Sequence, residues 1–151
     1  MKVILFLYLF VMICFSSLSN AQDSSKDVIE FRNNLMHSLK YHLSAVAQIA
    51  KNKISYVEDA EAHADAIYKM LKQADHLFIN DTGVGVGKSR ALPSIWEDRK
   101  TFTNMMKDSA EKAALLYEAS ITKDVSLIAS ATGNLGKTCG NCHKKFRKKK
   151  N

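Results

Sequence analysis

Apolar residues recur along this chain at intervals of three and four in four separate stretches, the period of an α-helix that buries one face. Val28, Leu35, Leu39, Leu43, Val46 and Ile49 form the first stripe. Val57, Ala60, Ala64, Ile67, Leu71, Ala74 and Phe78 form the second without a miss. Ile95, Phe102, Met106, Ser109, Ala113 and Leu116 make the third, and Val125, Ile128, Thr132, Leu135, Cys139, Cys142 and Phe146 the fourth. Little in the chain alternates as a strand does. Four stripes of this length predict an all-α fold, an antiparallel four-helix bundle in which each stripe faces the others. Ser55 with Glu58 and Ser94 with Glu97 have the spacing of capping boxes and are expected to open the second and third helices. Between those helices lies Asn80-Asp81-Thr82-Gly83-Val84-Gly85-Val86-Gly87. Its glycines do not match the spacing of a phosphate-binding loop and no strand precedes it, so a plain crossover is expected.

The first 21 residues stand apart from this pattern. Lys2 precedes an almost unbroken apolar run from Val3 to Phe15, and Ser19-Asn20-Ala21 places small residues before a cleavage point. That order predicts a secretory signal peptide over 1–21 and one domain over 22–151. The rival, a membrane anchor, needs roughly 20 apolar residues, more than this run supplies. Cys14 lacks the small preceding residue expected of a lipidated cysteine. The chain carries 22 Lys and Arg against 15 Asp and Glu, a formal charge of +7. Much of the excess sits in Lys144, Lys145, Arg147, Lys148, Lys149 and Lys150. Without a nucleic-acid motif, this run reads as a solvated helix end that suits the negative pole of the helix dipole.

Cys139-Gly140-Asn141-Cys142-His143 is the one motif that carries chemistry. C-x-x-C-H attaches c-type haem: two thiols on one helical face each add to a vinyl group, and the adjacent imidazole reaches the iron. Structural zinc would need a second ligand pair, and no further cysteine pair exists. A thiol–disulfide enzyme places C-x-x-C where a helix follows a strand, whereas this motif lies near the end of the last predicted helix. The expected cofactor is therefore one covalent haem c, with His143 as proximal ligand to its iron. The eight residues after His143 include neither Met nor His, so a distal ligand is expected from before Cys139. Gly133 and Gly136, one turn apart, either let another helix or the haem approach closely or merely weaken the last helix.

These features together resemble the class II cytochromes c, the family of cytochrome c′ and its low-spin, methionine-ligated relatives. The resemblance rests on Arg32-Asn33-Asn34-Leu35-Met36, on Leu92-Pro93-Ser94-Ile95-Trp96 and on Cys142-His143-Lys144-Lys145-Phe146-Arg147. It implies that Arg32 meets a haem propionate, that Met36 stands over the distal face, and that Phe146 and Arg147 flank the proximal side. Trp96, Phe146 and Leu135 supply apolar walls. It implies a periplasmic protein without catalytic machinery. The expected role is a one-electron carrier whose iron is bound by His143 and Met36 and whose redox partner is acidic. The alternative is an open, five-coordinate site at which the iron takes NO or CO. His37 ranks behind Met36 as a distal ligand, because one residue turns it about 100° around the helix. Met105 and Met106 rank behind it too, with no matched motif to support them. Neither nucleic acid nor a stable membrane insertion after signal removal is expected. A homodimer through the first two helices, common in the family, is left open.

Overall fold

The computed structural model describes residues 23–149; the expected signal peptide and Lys150 lie outside them. Its helices are α1 (Ser25–Ala50), α2 (Ala60–Gln73), the single turn α3 (Ser94–Glu97), α4 (Arg99–Ile121) and α5 (Val125–Phe146). Helix α1 packs on α2, α2 on α4, α4 on α5 and α5 back on α1, which closes a four-helix bundle. The stripes fill its interior. Every residue of the third stripe is buried, and in the fourth Ile128, Leu135, Cys142 and Phe146 are buried.

The helix ends depart from expectation. Ser55 makes no side-chain cap: a 3-10 turn, Val57–Asp59, precedes α2. Ser94 does not cap a long third helix either. Pro93 starts only the one-turn α3, and the Ser94 hydroxyl donates instead to the Lys145 carbonyl at 3.4 Å. Asp98 breaks the helix there and caps α4, accepting from the Thr101 amide at 3.4 Å. Asp124 caps α5, accepting from the amides of Ser126 (2.8 Å) and Leu127 (3.2 Å). Carboxylates at these two starts satisfy orphan N–H groups and suit the positive dipole end.

Gly133 and Gly136 lie on the exposed face of α5, where a Cβ would meet nothing within 4 Å. Among the described residues no other helix approaches them. Close approach by another helix is thus not used, and as glycines inside a helix the two cost α5 about 1 kcal/mol each relative to alanine.

Two apolar clusters divide the interior. Val46, Ile67, Leu116, Ile128 and Leu135 belong to the first; Ile95, Phe102, Met106, Cys142 and Phe146 belong to the second. Cys139 packs against the first cluster while Cys142 belongs to the second, so the cysteine motif straddles the seam between them. Among the described residues no helix is long and apolar enough to cross a membrane.

Candidate functional site

Helical geometry on α5 turns both cysteines inward. Cys142 is 8% exposed and Cys139 half-buried, and no disulfide joins them. Burial, together with the neighbouring Cys139, pushes the Cys142 thiol up to about 11, and burial raises Cys139 as well. His143, half-buried, is held down to about 4 by burial and then by the charges of Arg147 and Arg90. Its imidazole is therefore neutral, the form that ligates a metal. Among the described residues no three His, Cys, Asp or Glu side chains cluster to hold a bare metal ion. Two thiols and one neutral imidazole on one buried helical face fit a porphyrin, and they do not complete a zinc site.

Across the seam, α1 presents Arg32 and Met36 one turn apart. Met36 is half-buried; Leu35 before it packs on the second cluster and Leu39 after it on the first, and Met36 itself is in neither. His37 is exposed and faces away from the interior. Met106 is buried within the second cluster and Met105 packs against it.

Arg32 is not the half-solvated cation its charge suggests. It is 3% exposed, and all four of its terminal N–H groups point into the loop between α2 and α3. Nη1 donates to the Leu77 carbonyl (3.3 Å) and the Thr82 hydroxyl (2.9 Å); Nη2 donates to the Thr82 carbonyl (2.9 Å) and the Ser89 hydroxyl (3.0 Å). Only Nε is left to meet a propionate. Burial lowers the guanidinium's pKa.

The guanidinium also lies 4.7 Å above the Phe78 ring, and from there aromatic edges run across the second cluster. Phe78 meets Phe102 at 4.7 Å between centroids and Phe102 meets Phe146 at 5.3 Å, both edge-on. Trp96 closes one side: its indole N–H donates to the Phe78 carbonyl at 3.2 Å. Its ring comes so near Gly83 that a Cβ there would sit 3.1 Å from it. Leu135 is fully buried in the first cluster, against which Cys139 packs. Arg147 is exposed, and its backbone pairs with Ala91 in an isolated antiparallel bridge.

The structure thus brings Cys139, Cys142, His143, Phe146, Trp96 and Arg32 to one end of the bundle. Thr82 and Ser89, the partners of Arg32, were not singled out by the sequence, and nor was Phe78 as a wall. One signal was present: Arg32 occupies a position of the first apolar stripe, between Val28 and Leu35. A cation on a buried stripe requires acceptors from elsewhere in the chain.

Comparison with known proteins gives the family. The family model for cytochrome c′ matches residues 27–147. Cytochrome c-554 from Cereibacter sphaeroides is 35% identical over 127 residues, covering 81% of this chain and 93% of that protein. Cytochrome c′ from Pararhodospirillum photometricum is 27% identical, covering 82% and 98%. The solved cytochrome c′ of Rubrivivax gelatinosus superposes with a TM-score of 0.77 at 26% identity, covering 83% of this chain and 98% of its own. The chain belongs to the cytochrome c′ family, and with it carries one covalently attached haem c.

Proposed function

We propose that this protein is a periplasmic haem c protein whose iron is bound by His143 and left open on the distal side, where NO or CO binds beneath Met36. Thioethers from Cys139 and Cys142 hold the haem. When bound, the group supplies a ligand-binding, redox-active iron. The chain supplies the proximal imidazole, an apolar wall of Phe78, Phe102 and Phe146, and the exclusion of water. The single observation that carries the reading is the character of the side chains around the motif. Leu35, Met105, Met106 and the three phenylalanines bring no imidazole or carboxylate to the interior, and His37 is exposed. Among the fold neighbours, a mutant of the Alcaligenes xylosoxidans cytochrome c′ is solved as a nitric oxide complex. At 22% identity that likeness carries the fold, and the ligand class enters here as part of the proposal.

A second reading, a His/Met-ligated electron carrier, is favoured by one observation: the Met36 side chain is committed to neither apolar cluster. Titrating the ferrous protein with CO separates the two. An open site saturates with CO in the unmodified protein, and Met36→Leu changes the affinity little. A methionine-ligated site resists CO until Met36 is replaced. In either role the exposed Lys144, Lys145, Arg147, Lys148 and Lys149 offer a basic surface for an acidic redox partner.

A further inference from the structure

The loop of residues 78–92 is fastened as a strap across the haem end of the bundle. One edge is tied to α5 and to the short tail beyond it. The Leu92 amide donates to the Phe146 carbonyl at 3.0 Å, the Lys148 amide to the Arg90 carbonyl at 2.9 Å, and the Arg90 guanidinium to the Lys148 carbonyl. The strap closes on itself through the Val84 amide and the Ala91 carbonyl, 2.9 Å apart. Its other edge carries the N-terminal half of α1. Ile29 reaches within 4.0 Å of where a Cβ on Gly87 would sit, and the Asn33 amide donates to the Lys88 carbonyl at 3.5 Å. Arg32 adds its four bonds to Leu77, Thr82 and Ser89.

Those four bonds have an unusual balance. The guanidinium is buried to 3% exposure, and the four acceptors of its terminal N–H groups are all neutral. A buried cation held this way depends on every acceptor, because each one lost leaves a charge-bearing donor unsatisfied. Each of the two hydroxyls acts as donor and acceptor at once. Thr82 Oγ1 donates to the Ile79 carbonyl at 2.7 Å while accepting from Arg32. Ser89 Oγ donates to the Thr82 carbonyl at 2.6 Å while accepting from Arg32 and, at 3.3 Å, from the Ala91 amide. Thr82 is wholly buried and Ser89 nearly so. Neither hydroxyl can be exchanged for a methyl group without breaking both its roles.

We propose that Thr82 and Ser89 are positioning residues for the distal face. They hold Arg32, and through it the turn of α1 that carries Met36, at a fixed depth over the iron's open side. Arg32 is thereby a strap latch first, whatever contact its Nε makes with a propionate. The strap links this latch to the chain just beyond His143, so the two faces of the haem site are set by one piece of chain. The proposal rests on the reading that Met36 faces the iron.

The test is the rate of CO association to the ferrous holoprotein, with amide exchange of residues 82–89 recorded on the same samples. Four variants are compared: Met36→Ala, Thr82→Val, Thr82→Ser and Ser89→Ala. The latch predicts that Thr82→Val and Ser89→Ala speed CO association several-fold and deprotect the strap, while Thr82→Ser, which keeps the hydroxyl, stays near the unmodified rate. If Thr82→Val does not assemble with haem, Ser89→Ala, which removes one hydroxyl only, decides. Rates unchanged in Thr82→Val and Ser89→Ala beside a faster Met36→Ala overturn the latch and leave the distal reading standing. An equally fast Thr82→Ser overturns it too, since methyl packing and not the hydroxyl would then be at issue. An unchanged Met36→Ala overturns both.

Discussion

His42 on α1 and His63 on α2 face each other nitrogen to nitrogen, with their Nδ1 atoms 2.8 Å apart and their ring centroids 5.1 Å apart. The nitrogens point at one another, so one ring donates the proton that the other accepts. Burial, and then the charge of His63, lowers the His42 pKa from its ordinary value of 6.5. The folded state therefore disfavours protonated His42, while the unfolded chain takes up its proton at the ordinary value. The contribution to stability is complete above 6.5 and is lost as pH falls from there toward the lowered folded value. The melting temperature of the holoprotein should fall between about pH 7.5 and about pH 5, and fall less in His42→Gln. Parallel profiles for the two proteins would show that the pair adds nothing to acid sensitivity.

The exposed glycines of α5 give a prediction of opposite sign to the one in the strap. Gly133→Ala and Gly136→Ala meet open space in a helix, so each should stabilise the protein by about 0.5–1 kcal/mol, read as a rise in melting temperature. Gly83→Ala drives a methyl group to 3.1 Å from the Trp96 ring and should lower it. Trp96 is tied to the Phe78 carbonyl and cannot swing away without breaking that bond. A stabilising Gly83→Ala would mean the strap does not press on Trp96.

Covalent attachment predicts that acidified acetone leaves the colour with the polypeptide. Replacing both Cys139 and Cys142 by alanine should release haem to the organic phase. Retention of all the haem by the double variant would remove both residues from the attachment role.

Charge on the surface beyond the motif should act on association and not on folding. Lys144 and Lys149 are exposed, and exposed charges contribute about 0–1 kcal/mol each to stability. Neutralising both should leave the melting temperature nearly unchanged while flattening the salt dependence of reduction by an acidic redox partner. An unchanged salt slope would place the docking surface elsewhere.

The bundle was legible because its stripes are regular: every residue of the third stripe is buried, and so are Ile128, Leu135, Cys142 and Phe146 of the fourth. The haem motif was legible because its chemistry demands a fixed spacing. The helix starts were not. Ser55 and Ser94 have the right spacing for capping boxes, but a 3-10 turn and Pro93 move the true starts of the long helices to Ala60 and Arg99. Asp98 then competes successfully for the cap. The strap was the larger omission. Asn80 to Gly87 reads as polar, glycine-rich crossover chain, and Thr82 is buried where Arg32, fifty residues earlier, arrives from α1. Local patterning cannot register a hydrogen bond between such distant positions. The Arg32 position within an apolar stripe was its only trace.

The open distal site is tested most directly by the ferric spectrum of the unmodified holoprotein near neutral pH. An iron bound by His143 alone among the protein's side chains is expected to be high-spin, with no methionine-to-iron band at ~695 nm. A low-spin spectrum that shows that band, and loses it in Met36→Leu, would contradict the open-site account and establish Met36 as the sixth ligand.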